Sequence, residues 1–319
     1  MMLLTAALFI IDILVGSVNI SFRELLSGDD TYKEIFYNFR LPKALTAVIV
    51  GAAISVAGLE MQTLFHNPLA GPYVLGISSG STLGVALFTL GTSSIVTSYS
   101  SYMNGWGIVI AATIGASCIL LLMLGVSFKI KQAVSLLLVG TMLGQIAGSI
   151  VTILQNSSNP DSLKLFVVWT FGSLSSVSWT YMKVMLPIAV LGILISVAII
   201  KNLNALLLGE NYAQGLGISI KRTRIYIIIS VALLAGATTA FTGPIAFIGM
   251  AVPHLVKGIL KTANHAQTLP GCVVCGSALL LLCDIATQLP QNGYTLPINA
   301  ISSLIGAPII IWIILKNKS

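Results

Sequence analysis

From Leu41 to Leu64 the chain reads LPKALTAVIVGAAISVAGLEMQTL, with Lys43 and Glu60 as its only charges. A helix of about 20 such residues, rising 1.5 Å per residue, crosses the hydrocarbon core of a bilayer. The pattern recurs along the chain, giving candidate spans at 3–19, 41–63, 74–91, 105–127, 133–154, 183–201, 224–241, 244–260, 270–289 and 297–315. Charged residues make up 8% and hydrophobic residues 56% of the 319; soluble domains carry about 25% charged residues. No soluble fold of this length would cover that apolar surface, so lipid is the solvent for most of it. The expected fold is an all-α polytopic membrane protein of about ten transmembrane helices, a single domain over 1–319. The stretch 163–176 (LKLFVVWTFGSLSS) is too short to span and reads as a half-buried or re-entrant helix. The first span lacks a basic leading region and an A-x-A-like cleavage site and carries Asp12, so it reads as a retained helix.

Orientation follows from Lys and Arg, which concentrate on the cytoplasmic side. With the N-terminus inside, the inner side receives Lys129, Lys131, Lys201, Lys221, Arg222, Arg224, Lys257, Lys261, Lys316 and Lys318. The outer side receives Arg23, Lys33, Arg40, Lys43, Lys164 and Lys183, together with most of the acids. Both termini are therefore expected in the cytoplasm. Trp106, Trp169, Trp179, Tyr99, Tyr102 and Tyr181 then fall near outer helix ends, as an aromatic belt does. The net charge of +7 is scattered between apolar runs, which argues for topology and against nucleic-acid binding.

The stretch FHNPLAGPYVLGISSGS, residues 65–81, interrupts the apolar sequence. Asn67-Pro68 ends a helix and Gly71-Pro72 begins the next segment, making a cytoplasmic turn between the second and third spans. Its Gly76-Ile77-Ser78-Ser79-Gly80 matches G-x-S-x-G, the nucleophile elbow of serine hydrolases, which needs a strand before it and a His–acid pair. Here Ser78 opens a helix, and His66, His254 and His265 have no acid beside them in sequence. Small residues for close helix contact account for the pattern more simply. There is no G-x-x-x-x-G-K-[ST], so any ATPase belongs to another chain. Cys272 and Cys275 form a lone C-x-x-C and, like Cys118 and Cys283, read as soft packing residues, so no bound metal or cofactor is expected.

Four stretches carry the transport reading. Gly140, Gly144 and Gly148 make a smooth face on the fifth span, for a close crossing or for room beside a bulky solute; Gln145 and Ser149 follow it as mid-membrane polar groups. KNLNALLLGENYAQGLGISIKRTR, residues 201–224, is the longest inner loop. It reads as two short helices suited to docking on another protein, or as an interfacial linker. Arg40-Leu41-Pro42-Lys43 places charge on the outer side, either to meet acids on an extracytoplasmic partner or as solvated charge. Gly243-Pro244 and Pro253 mark a tight turn and a bent helix, with His254 as a packed or capping residue. Asp12, Glu60 and Asp284 each cost about 2.5–3.5 kcal/mol at a helix centre, so each needs a partner or water.

Together these stretches resemble the permease subunits of ABC importers for iron–siderophore complexes, haem and cobalamin. The resemblance runs through RLPKALTAVIVGAAISVAG, MQTLFHNPLAGPYVLGISSGS, VVWTFGSLSSVSW, LLLGENYAQGLGI, GPIAFIGMAVPHLVK, LPGCVVCGSALLLLCDIAT and LIGAPIIIWIILK, in that order. It implies ten helices per subunit, a permease homodimer, two separate ATP-binding subunits that hold ATP and Mg, an extracytoplasmic solute-binding protein, and the bacterial cytoplasmic membrane. It implies that Arg40 and Lys43 meet the binding protein. It implies that Glu210, Ala213, Leu216 and Gly217 couple to the ATPase, and that the fifth span with Gly140, Gly144, Gln145, Gly148 and Ser149 lines the pathway. The chain departs from the family pattern at Gln288, where an Arg usually stands, and at Thr295 and Asn299, which replace residues of a Glu-Leu-Pro-x-Gly motif. A charged head before the first span is nearly absent, so the start is expected to be truncated or short. An ion-driven secondary carrier and an intramembrane serine hydrolase using Ser78 are the competing classes.

Overall fold

The computed structural model describes residues 1–15, 30–91, 105–130, 132–289 and 295–316. Its α-helices, in chain order, are α1 Met2–Leu14, α2 Asp30–Ile35, α3 Leu41–Leu64, α4 Ile77–Thr89, α5 Trp106–Lys129, α6 Ala133–Asn156 and α7 Pro160–Thr170. There follow α8 Trp179–Ala198, α9 Ile200–Leu206, α10 Glu210–Gly215, α11 Ile220–Val231, α12 Ala237–Thr242, α13 Ile248–Leu260, α14 His265–Thr287 and α15 Ile298–Lys316. No strand occurs among the described residues.

The all-helical class stands, and of the ten expected spans six are helices long enough by themselves to cross a membrane. Among the described residues six helices are long and apolar enough to cross a membrane: Tyr32–Leu64, Trp106–Lys129, Ala133–Asn156, Trp179–Ala198, Ile220–Thr242 and His265–Thr287. Four further apolar helices are shorter, Met2–Leu14, Ile77–Thr89, Ile248–Leu260 and Ile298–Ile311. Backbone geometry explains two of these. A 3₁₀ turn at Pro72–Leu75 ends on Gly76 at φ 75°, a left-handed conformation that costs glycine little, so α4 begins only at Ile77. Gly243 at φ 74° and Phe247 at φ 66° likewise hold back α13 until Ile248. Residues 16–19 of the first expected span, and Tyr99 and Tyr102 of the expected belt, lie outside the described residues. The short helix expected at 163–176 is α7, N-capped by Asn159, whose side chain accepts from Ser162 N at 2.8 Å.

α3 is the hub, buried almost continuously from Ala44 to Leu64. It crosses α14 where Gly51 meets Gly276; a Cβ on either would press into the other's carbonyl oxygen. Ser277 Oγ donates to Val48 O across the same contact at 2.8 Å. A Cβ on Gly58 would likewise press into Gly249 O of α13, while one on Gly249 would meet Pro72 and Ile54 O. In a bilayer such close approaches hold helices together by dispersion, since lipid offers no hydrophobic drive. α5, α6 and α8 form the outer layer and expose large apolar side chains, among them Ile114, Leu121, Met142, Ile146 and Leu194. That is the surface of a multi-pass membrane protein.

Candidate functional site

Two ends of the bundle carry chemistry. At one end α9 and α10 form the pair of short helices expected in 201–224. Gly209, at φ 104°, separates them, and Gly217, at φ 80°, turns the chain into α11. Arg224 is buried, and its Nη2 donates to Glu210 Oε1 at 2.6 Å while Nη1 reaches Ile130 O at 3.3 Å. The first residue of α10 is thus fastened to α11 and to the end of α5. Glu210 also sits where a carboxylate complements the helix dipole. Ala213 is fully buried beneath α10 and cannot be an outward contact; it seats the helix. Leu216 does face outward, together with Leu208 and Tyr212, at 64%, 55% and 59% exposure for Leu208, Tyr212 and Leu216. Tyr212 was not singled out in the sequence because a residue's direction on a short helix is not written in hydropathy.

The turn behind this end is held by side chains that periodicity does not reveal. Tyr73 Oη donates to Ile245 O, and burial pushes its phenol upward from the ordinary range. Gln62 Nε2 donates to Met250 O at 3.1 Å, and His254 Nε2 lies 2.7 Å from Pro68 O. His254 is therefore a packed residue bonded to backbone. Ser78 sits in the first turn of α4 with no strand before it, so the hydrolase elbow is absent.

At the other end, Arg40 and Lys43 depart from the expectation of outward, solvated charge. They are 6% and 8% exposed. Arg40 Nη1 donates to Ile13 O and Leu14 O at 2.8 and 2.9 Å, closing the last turn of α1. Lys43 Nζ lies 2.7 Å from Asp284 Oδ2 and 4.0 Å from Asp12 Oδ1. Gln288, with its amide oxygen turned inward, accepts from Lys43 Nζ and donates to Val15 O at 2.9 Å. Two of the three acids noted in the sequence thus share one lysine. Desolvation explains the gathering, because a lone charge at this depth is costly and a cluster divides that cost. The cluster forms one wall of a cavity of about 530 Å³ that also touches Phe39, Phe171, Ser173 and Leu296. Asn299 ties the neighbourhood together, donating from N to Phe171 O at 3.2 Å and accepting at Oδ1 from Ala246 N at 3.1 Å.

The third acid, Glu60, is fully buried between α8 and α11. It faces the Ser196 and Ser230 hydroxyls, which bond to each other at 2.9 Å and leave both carboxyl oxygens of Glu60 without a hydrogen-bond partner.

The glycine face of α6 divides in two. Gly140 packs on the 3₁₀ turn, where a Cβ would lie 2.5 Å from Val74 O, and Gly144 packs on Ser79. Gly148 has nothing within 4 Å, and Gln145 and Ser149 are exposed beside it. Ser149 Oγ donates to Gln145 O of its own helix at 3.0 Å. The upper half of the stripe is a crossing; the lower half is open. Among the described residues, no three His, Cys, Asp or Glu side chains gather as metal ligands.

A bundle of long apolar helices with an apolar outer layer, and a pair of short helices at one end, defines a polytopic membrane protein. The chain belongs to the FecCD transport family, whose model matches residues 4–316. It is 34% identical over 311 residues to the hemin transport system permease protein HmuU of Yersinia pestis, covering 95% of this chain and 90% of that one. It is 34% identical over 286 residues to the vitamin B12 import system permease protein BtuC of Vibrio cholerae, covering 89% and 84%. Among solved structures, a transporter assigned to the metal-chelate ABC type, in an inward-facing conformation, superposes with a TM-score of 0.88 at 27% identity, covering 98% of this chain and 97% of that one. The chain is thus an ABC-importer permease.

Proposed function

We propose that this chain moves an iron complex, siderophore or haem, or cobalamin into the cytoplasm by alternating access, as one permease domain over 1–319. The four short apolar helices complete ten crossings, with both termini cytoplasmic, in the bacterial cytoplasmic membrane. A second copy pairs with it, two ATP-binding subunits hold ATP and Mg, and a solute-binding protein delivers the cargo from outside. The observation that carries this reading is the apolar face of Leu208, Tyr212 and Leu216, held at one end of the bundle by the Glu210–Arg224 pair. An exposed apolar face on short helices between membrane helices calls for a protein partner, and ATP-driven closure of that partner would move it. The α6 face at Gln145, Gly148 and Ser149, open in the single chain, is assigned to the pathway. Arg40 and Lys43 act on binding-protein docking by shaping the cavity wall, since they are too buried to offer free charge. The permease needs no bond to iron; its walls only have to be wide and weakly binding.

The test is reconstitution into proteoliposomes of the permease with its ATPase and binding protein, with Glu210→Gln and Gly217→Val beside the parent. Loaded binding protein should stimulate ATP hydrolysis and uptake together, and the variants should lose uptake. Uptake that instead follows a proton or sodium gradient, with no ATPase co-purifying, would overturn the reading in favour of a secondary carrier.

A further inference from the structure

The α3–α14 pair is clasped at three levels. Lys43 and Asp284 join it at the cavity end, the Gly51–Gly276 crossing joins it in the middle, and a buried network joins it at the coupling end. In that network His265, the first residue of α14, is fully buried and has both ring nitrogens engaged. Nε2 lies 2.8 Å from Thr63 Oγ1 in the last turn of α3, and Nδ1 lies 2.9 Å from Asn204 Oδ1 in α9. Asn204 Oδ1 also accepts from His265 N at 2.8 Å. A backbone N–H can only donate, so that bond fixes the orientation of the Asn204 amide, and the amide in turn places the proton of a neutral ring on Nδ1. Asn204 Nδ2 donates to Asn264 Oδ1 at 2.9 Å, and the same oxygen caps α14 by accepting from Ala266 N at 3.0 Å. One side chain of α9 therefore takes an orphan N–H of α14, orients its first side chain and steadies its cap. Through the ring it also reaches α3.

Packed cores shift between discrete arrangements and do not deform smoothly. A pair of helices clasped at both ends and crossed without slack moves as one body. We infer that Asn204 is the positioning residue that fastens the coupling segment α9–α10 to the α3–α14 pair through His265 and Thr63, so that displacement at the coupling segment is delivered to the Lys43–Asp284 cavity at the opposite end. The inference rests on the proposed function and adds the route by which its two ends communicate.

The experiment uses the reconstituted complex with Asn204→Ala and, separately, Thr63→Val, which removes one hydroxyl at nearly constant volume. Uptake per ATP is measured along with two spin-label distances between the paired copies, one from exposed Gln214→Cys on α10 and one from Leu289→Cys, with exposed Cys118 replaced by Ser. In the parent, ATP should change both distances. In Asn204→Ala the Gln214 pair should still respond and the Leu289 pair should not, with uptake per ATP lower by about tenfold, a usual size for coupling between sites. Thr63→Val should fall in the same direction, and the double variant should be no worse than Asn204→Ala alone, because both cut one chain of contacts. Parent-like uptake per ATP in both single variants would overturn the inference. So would an ATP response at Leu289 that survives Asn204→Ala, or additive losses in the double variant. A parent complex without ATP-linked uptake would instead overturn the proposed function itself.

Discussion

Lys43 stands at the centre of the charge cluster, and its position determines what each substitution there does. Lys43→Met would leave Asp12 and Asp284 facing one another, with Arg40 the cation still beside Asp12 among the described residues. Breaking a buried ion pair from one side costs about 3–5 kcal/mol. The purified protein is expected to lose its folded population at markedly lower temperature, read by thermal unfolding in detergent. Asp284→Asn is expected to cost less, since Asp12 remains to balance the lysine; equal losses would show that Asp12 takes no part. Glu60 lies at the other extreme. Its two oxygens have no hydrogen-bond partner, so Glu60→Gln, which keeps the shape and gains a donor toward Ser196 or Ser230, is expected to hold or raise stability by about 1 kcal/mol. A loss of more than that would mean the carboxyl is engaged with something these contacts do not contain. The sequence flagged all three acids as needing partners; Asp284 meets that need in Lys43 at 2.7 Å, while Asp12 lies 4.0 Å from the same Nζ with neither oxygen hydrogen-bonded. Which acids would meet was not legible, because Asp12 and Asp284 are separated by most of the chain and come together only through α3.

Glycine behaves differently from one helix to the next. Gly51→Ala on α3 would drive a methyl into Gly276 O, and separating two helices that have no slack costs about 1–3 kcal/mol. Gly148 on α6 has open space, so Gly148→Leu should leave the isolated chain as stable as the parent. If the second copy or the pathway covers that face, the same variant will lose uptake or copy–copy association while its melting temperature is unchanged. Measuring both in one preparation separates fold from assembly, and full activity would remove the α6 face from the pathway assignment. The stripe Gly140, Gly144, Gly148 was legible as a smooth face. Its division into a packed half and an open half was not, because that depends on where the Pro72–Leu75 turn docks. The same turn shortens α4, a detail hidden from hydropathy, which counts apolar residues without regard to backbone angles.

Across the whole molecule, the coupling end and the cavity end lie on opposite faces of one bundle. Arg224→Met would release Glu210 and leave α10 held by packing around Ala213 and the Ile218 N–Ala213 O bond. The expected result is ATP hydrolysis that continues while uptake falls about tenfold. Loss of both activities together, with dissociation of the ATPase, would assign the pair to docking alone. The break at Gly209 and the run of charges at 221–224 made this segment visible in the sequence as one suited to a partner. The mark it lacked was direction: Ala213 turned inward, and Leu208 and Tyr212 turned outward with Leu216.

Composition and apolar run length alone determined that this chain lives in lipid as a bundle of helices, because so few charged residues cannot cover so much apolar surface in water. The order of its motifs was enough to indicate the family. Tertiary structure alone decided which charges neutralise one another, which glycines touch, and which side chains of the short helices face out. The physical reason is that hydropathy is a property of each residue in turn. Partnership, orientation and close approach are properties of pairs that the chain brings together only when α3 threads the centre of the bundle.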